Sequence, residues 1–323
     1  MTNEYGLLHA YLLDGHGGAA VLSIEQVNNW QPSQGMLWLH FDYSHPDAET
    51  WLLEQSGVDH VIANALVMDE TRPRATTIDD GLLIALRGIN HNPGSEDDMI
   101  ALRMWIDKQR IITSRRRKLH AASTVVNELQ HGSGPADSGE FLCRICDHII
   151  GDMSETVGNY EDKVADYEDA LLDGVSGSLR YDLATLRRQT ITIRRYLAPQ
   201  REALAKLLTE KVSWLNDNHK IELREINDQL IRHIENLDAA RERAAVTQEE
   251  LLNRLSEQMN KRMYVLSVVA AIFLPLSFLT GLLGVNVAGI PGSDNEMAFW
   301  LFNLLLGIVV VMQIMIFRWQ RWF

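Results

Sequence analysis

The chain contains two cysteines in 323 residues, too few for a disulfide framework and in keeping with a reducing compartment. It opens with Met1-Thr2-Asn3-Glu4, without a basic segment leading into an apolar run, so no cleaved signal peptide is expected. The nucleotide, serine-hydrolase and zinc-protease signatures G-x-x-x-x-G-K-[ST], G-x-S-x-G and H-E-x-x-H are missing, as is a glycine repeat spaced for dinucleotides. Nothing therefore points to an enzyme or to a resident cofactor. Positive charge is also short: the net charge is −13, which argues against nucleic acid as a partner. The brief run Arg115-Arg116-Arg117-Lys118 reads as a surface turn after the last strand.

The most informative absence is of charge altogether in two places. Tyr264 to Leu283 and Ala298 to Phe317 contain no Asp, Glu, Lys, Arg or His. Each is 20 residues long, which at about 1.5 Å per residue matches a hydrocarbon core of roughly 30 Å. Buried core helices of a soluble protein are the alternative, but two such runs at one end of a chain favour a bilayer. Lys261 and Arg262 precede the first run and Arg318 and Arg321 follow the second, whereas the loop 284–297 has neither Lys nor Arg. The positive-inside rule then places both termini in the cytoplasm, with two spans and the short loop outside. Tyr264, Trp300 and Trp319 suit the aromatic belts of the two interfaces.

The remainder has an ordinary globular composition, 46% hydrophobic and 23% charged. Residues 1–135 carry short β-type runs, at Leu7–Leu13, Met36–Tyr43, Leu82–Ile89, Met99–Ile106 and Arg110–Ser114, with a helix expected over Trp51–Met68. This predicts an α+β (α/β) domain with a small sheet, ended by the break His131-Gly132-Ser133-Gly134-Pro135. Residues 136–262 read as helical. Glu140–Asp173 holds ten acidic and two basic residues, and Leu179–Lys211 eight basic and three acidic. An antiparallel hairpin with oppositely charged arms follows, in which the arms pair with each other rather than the acidic one gathering cations. A stalk helix starting at Asn216 or Asn218 carries the stripe Leu223, Ile226, Leu230, Ile234, Leu237, Ala244, Leu251, Leu255 and Met259 and meets no Pro or Gly before the membrane. Continued into the first span it makes a rod of about 100 Å at 1.5 Å per residue. Such a rod needs partner helices, from the hairpin or from other copies of the chain. Residues 263–323 form the transmembrane hairpin.

Chemistry is therefore sought in the spans. Ser267, Ala270, Ser277, Thr280, Gly281 and Gly284 fall within an arc of roughly 140° at about 100° per residue. This face either lines a path shared by several copies or packs closely against another helix. Where the span reaches the outer interface, Gly284, Val285 and Asn286 offer freed carbonyls and an uncharged amide. A ring of such oxygens holds a hydrated cation through its water shell. Asp294 and Glu296 in the loop would raise the local cation concentration. In the soluble part Cys143, Cys146, His148 and Asp152 admit two readings, a zinc site or buried structural thiols.

Phe273 to Asn286, reading FLPLSFLTGLLGVN, resembles the end of the first transmembrane helix in the CorA metal-ion transporter superfamily, whose signature is Gly-Met-Asn. Val285 replaces the methionine. That variant, together with Thr71-Arg72-Pro73-Arg74 and Arg194-Arg195-Tyr196-Leu197-Ala198-Pro199-Gln200-Arg201, is similar to the zinc-transport branch called ZntB. The resemblance implies a homopentameric funnel in the inner membrane with an α/β cytoplasmic domain, long helices running into the pore and two spans per subunit. It implies transport of zinc or other divalent cations, with a proton gradient as a driving force and Gly284, Val285 and Asn286 as the selectivity site. Val285 speaks against magnesium as the main cargo, although magnesium, cobalt or nickel transport and a non-conducting membrane-anchored sensor or scaffold stay as alternatives.

Overall fold

The computed structural model describes residues 4–69, 72–94, 98–174, 177–285 and 296–319. In chain order these form β1 (Leu7–Leu13), β2 (Ala19–Val21), α1 (Ile24–Asn28), β3 (Met36–Asp42), α2 (Pro46–Glu54), α3 (His60–Val67), β4 (Arg74–Ile78), β5 (Gly81–Ile89), β6 (Met99–Ile106) and β7 (Arg110–Arg115). Then follow α4 (His120–Gln130), α5 (Ser138–Gly151), α6 (Met153–Leu172), α7 (Leu179–Leu207), α8 (Asp217–Leu283) and α9 (Ala298–Trp319). Met1–Gln248 is one compact unit and Glu249–Phe323 a second; the Gly/Ser break at 131–135 falls inside the first.

The strands make one sheet in the order β2-β1-β3-β7-β6-β5-β4. Neighbours pair antiparallel except β3 with β7, which run parallel. Both faces are covered, which is why β5 and β6 read as nearly continuous apolar runs instead of alternating. On one face Leu37, Leu39, Phe41 and Ile112 pack with Trp51, Leu52, Ile62 and Leu66 of α2 and α3. On the other, Trp38 meets Phe141 of α5, ring centroids 4.9 Å apart. The expected single helix over Trp51–Met68 is two helices: Gly57 adopts φ +68° between them, and Asp59 caps the second by accepting from the Val61 amide at 2.7 Å.

One side-chain amide ties α7 to the backbone of β5, beside the bond that Lys206 Nζ donates to the Ala75 carbonyl of β4 at 2.9 Å. β4 stops opposite Ala85, leaving the outward peptide groups of Arg87 beyond the strand's reach. Gln200 of α7, wholly buried, takes the missing place. Its Oε1 accepts from the Arg87 N–H at 2.7 Å and its Nε2 donates to the Arg87 carbonyl at 3.1 Å. Tyr196, one turn earlier, lies under the Arg87 guanidinium at 4.1 Å. The run Arg194 to Arg201 is thus a docking surface for the sheet.

The charged arms pair differently from expectation. The acidic arm is two helices, α5 and α6, joined at Asp152. Among the described residues its ion pairs and those of α7 do not join the arms to each other. Instead Glu168 of α6 pairs with Arg243 at 2.6 Å, and Arg194 of α7 with Asp238 at 2.6 Å, both partners on α8. The longest helix thus supplies the charged partner to each arm. Its apolar stripe is buried at Leu223, Ile226, Leu230, Ile234, Leu237, Ala244 and Leu251, whereas Met259 is 62% exposed.

Candidate functional site

Helices α8 and α9 are long and apolar enough to cross a membrane, and no residue of α9 is buried within the chain. Side chains this apolar, left uncovered in a folded protein, need hydrocarbon around them; the protein is a membrane protein.

Within the second unit, α8 divides into two faces. Val268 is buried, and Ala271, Ile272, Pro275, Leu276 and Leu279 are half-buried. On α9 the half-buried side chains are Ala298, Phe302, Leu306, Val309, Val310, Gln313 and Phe317, again at steps of one helix face. Gln313 meets Ala271 through its amide at 3.3 Å, so these are the faces the two helices turn to each other. The residues singled out from the sequence, Ser267, Ala270, Ser277, Thr280, Gly281 and Gly284, are all exposed. At about 100° per residue their arc is centred roughly opposite the packed face. Close packing against the second span is therefore not what the small residues serve within the chain. Phe273 and Leu274, 62% and 70% exposed, share the arc, so the face is a mixture of hydroxyl, small and apolar groups rather than a continuous polar groove.

Along this face the hydroxyl of Thr280 is turned back onto its own helix, near the carbonyls of Leu276 at 3.0 Å and Ser277 at 3.1 Å. That leaves its oxygen lone pairs facing outward. The helix closes when Gly284 donates its N–H to the Thr280 carbonyl at 2.9 Å. A Cβ at Gly284 would stand 2.7 Å from that same oxygen, so the turn requires glycine. Val285 follows and is exposed; Asn286 and Asp294 lie outside the described residues, and Glu296 is exposed just before α9.

The soluble candidates do not converge. Cys143 and Cys146 are free and buried. Burial, foremost, pushes both thiols well above their ordinary range, with Cys146 and then Glu222 adding to the effect on Cys143 and Asp147 to that on Cys146. A thiol held protonated is a poor zinc ligand. His148 turns instead to Glu128, Nε2 to Oε1 2.8 Å, and Asp152 to His120 at 3.2 Å. Among the described residues no group of three or more His, Cys, Asp or Glu side chains is placed to hold a metal ion. The helix geometry explains it: His148 points away from the face that Cys143 and Cys146 share.

Two residues that matter here had no role assigned from the sequence: Gln200, quoted only within the Arg194–Arg201 motif, and Gln313. The second had a readable signal, since Pro275 frees the carbonyl four residues before it and an amide in an otherwise apolar run is the natural donor.

The family described as CorA-like Mg2+ transporter protein matches residues 33–319. The divalent cation transporter CmaX of Pseudomonas aeruginosa is 37% identical over 326 residues, covering 99% of this chain and 98% of that protein. The zinc transport protein ZntB of Pectobacterium carotovorum is 40% identical over 306 residues, 94% of this chain and 92% of the relative. The solved structure of full-length CmaX superposes with a TM-score of 0.87 at 36% identity, covering 99% of each chain. The match in sequence, the free face of α8 and the paired apolar helices agree: the chain belongs to the CorA-like Mg2+ transporter protein family.

Proposed function

We propose that this chain carries divalent cations, zinc among them, across the cytoplasmic membrane, along a path formed where several copies turn the free face of α8 toward a common axis. One observation carries the reading: α8 spends one face on α9 and leaves the opposite face, with Ser267, Ser277, Thr280, Gly281 and Gly284, uncovered. A mere anchor needs no such face, since lipid accepts leucine equally well all round. The cargo is supported by the relatives that carry zinc and divalent cation transport in their names. A homopentamer follows from the family resemblance, and the Lys and Arg residues flanking the spans support two crossings with both termini in the cytoplasm.

In this reading Gly284, Val285 and Asn286 form the outer constriction, where oxygen dipoles hold the ion through its water, and Asp294 and Glu296 draw cations to it. The path offers no sulfur or imidazole, so zinc and magnesium are both tested as cargo. Two charges moving inward gain about 4.6 kcal/mol per 100 mV, so voltage alone can drive uptake. Neither span holds a carboxylate or histidine; a coupled proton would travel on water or on groups outside the spans.

The test is uptake of radioactive zinc and magnesium by liposomes holding the purified protein under an imposed potential. Zinc uptake above that of empty liposomes is expected, and collapsing the proton gradient at fixed voltage reads whether protons share the path. Neither ion entering above background would overturn the proposal and leave a membrane-anchored scaffold.

A further inference from the structure

Pro275 sits inside α8, on the face turned to α9. A proline has no N–H, so the carbonyl four residues earlier, that of Ala271, loses its helical donor. In hydrocarbon an unpaired carbonyl costs several kcal/mol, because no water reaches it. The structure shows what takes the place of the missing N–H: Nε2 of Gln313, reaching across from α9, lies 3.3 Å from the Ala271 oxygen. A carbonyl only accepts, so the near atom of that amide must be its NH2 group, and the chemistry fixes the amide's orientation. The other end of the amide, Oε1, is buried and makes no hydrogen bond. Among the described residues no competing bond holds the amide in place; the proline-freed carbonyl is its partner.

We infer that Gln313 is a positioning residue, a clasp between the second span and the proline break of the first, which sets the bend of α8 and so the presentation of its free face. Kinks at proline are common in transmembrane helices and are held by whatever re-satisfies the freed carbonyl. Here a single side chain from the neighbouring helix does so. Breaking the bond frees α8 to change its bend at Pro275, and the residues that would move relative to one another are Ser267 and Ala270 on one side and Ser277, Thr280 and Gly281 on the other. The inference rests on the transport reading for its consequence, and on geometry alone for the clasp.

The dependence on proline gives a test that a generic packing role would not pass. Gln313→Met keeps length and volume but removes the donor. In the Pro275→Ala background, residue 275 regains an N–H, the helix satisfies Ala271 itself, and Gln313 becomes dispensable. The four proteins, wild type, Q313M, P275A and the double variant, are compared by zinc flux in liposomes and by thermal unfolding in detergent. Q313M alone is expected to lower maximal flux by about threefold to twentyfold, the range of interhelical hydrogen bonds in membranes. The zinc concentration at half-maximal flux should stay within about twofold, because the clasp lies away from the outer constriction where the ion is first held. In the P275A background the same substitution should change flux by less than about twofold and leave the unfolding midpoint where P275A sets it. Equal losses in both backgrounds, or none in either, would overturn the clasp. Coupling in unfolding with flux unchanged in every variant would overturn the positioning role. A wild type without flux, but with coupling in unfolding, would sink the transport reading and leave the clasp standing.

Discussion

Replacing Gln200 by leucine removes both bonds its amide makes to the backbone of Arg87 while nearly conserving side-chain volume. The N–H and carbonyl of Arg87 then face an apolar group at the end of β4's reach. An unpaired buried polar group costs about 1–3 kcal/mol, so two cost about 2–6 kcal/mol if water is fully excluded. Arg87 is only half-buried, and the leucine's own burial returns part of the loss. We therefore expect destabilisation of about 2–3 kcal/mol, a sizeable share of the 5–15 kcal/mol by which domains are stable. Urea unfolding of the full chain in detergent, followed by tryptophan fluorescence, reads it directly. Trp30, Trp38, Trp51, Trp105 and Trp214 all lie in the first compact unit and so report on it. The midpoint should fall with the slope unchanged. A change below about 0.5 kcal/mol, the range of an ordinary surface substitution, would refute the account of how α7 is held to the sheet.

Two further outcomes follow from the geometry. Gly284→Ala places a methyl 2.7 Å from the Thr280 carbonyl oxygen; overpacking of that kind costs about 1–3 kcal/mol, and a reduction of liposome zinc flux by about fivefold or more is expected, while a flux within twofold of wild type would show that the turn tolerates a side chain. His40 is wholly buried, and burial first, then the charge of Arg115 and of His9, holds its imidazole well below the ordinary 6.5. Because the unfolded chain takes up that proton and the folded one does not, stability should fall as pH drops below 6.5, by up to about 1.4 kcal/mol per pH unit. His9, lowered chiefly by burial and then by Arg115, adds in the same direction. Unfolding midpoints measured at pH 7.5 and 5.5 should show a smaller acid loss in His40→Gln than in wild type, and an equal loss in both would refute the assignment.

Strands were legible where apolar runs met strong punctuation. β1 and β6 begin and end where the sequence places them, because Gly15-His16-Gly17-Gly18 and Asn92-Pro93-Gly94 leave little choice. The short outer strands β2 and β4 were not, since Ala-Ala-Val and Arg-Ala-Thr-Thr-Ile gain their pairing from a neighbour and not from their own pattern. Gly57 was read as part of a helix because one glycine within an apolar run is often tolerated; its left-handed conformation is a tertiary choice. The two long uncharged runs, Tyr264 to Leu283 and Ala298 to Phe317, were plain from composition. Which side of each faces the other was not, because a helix apolar all round has no stripe to read. Only a polar exception such as Gln313 betrays the contact, and only once Pro275 is seen to need it. The charge patterns of the hairpin arms were legible as patterns, but the choice of partner depended on where α8 lies.

The single parallel pair in the sheet also divides its assembly. β1 to β3 and β4 to β7 are each built from strands adjacent in sequence, so either half can zip up from short loops; only the β3–β7 seam joins distant segments. His40 and Thr113 sit directly opposite one another on that seam. The Thr113 hydroxyl receives Nδ1 of His40 at 2.7 Å and Nε1 of Trp38 at 2.9 Å, while Arg115 donates to the other imidazole nitrogen at 3.1 Å. Slide one half past the other by a single residue so that Ile112 stands where the threonine was, and the indole N–H of Trp38 and the Nδ1 of His40 lose their shared acceptor. The seam therefore carries a check on its own alignment: a slip that sets an aliphatic side chain in the place of Thr113 leaves the indole and the imidazole without their common acceptor.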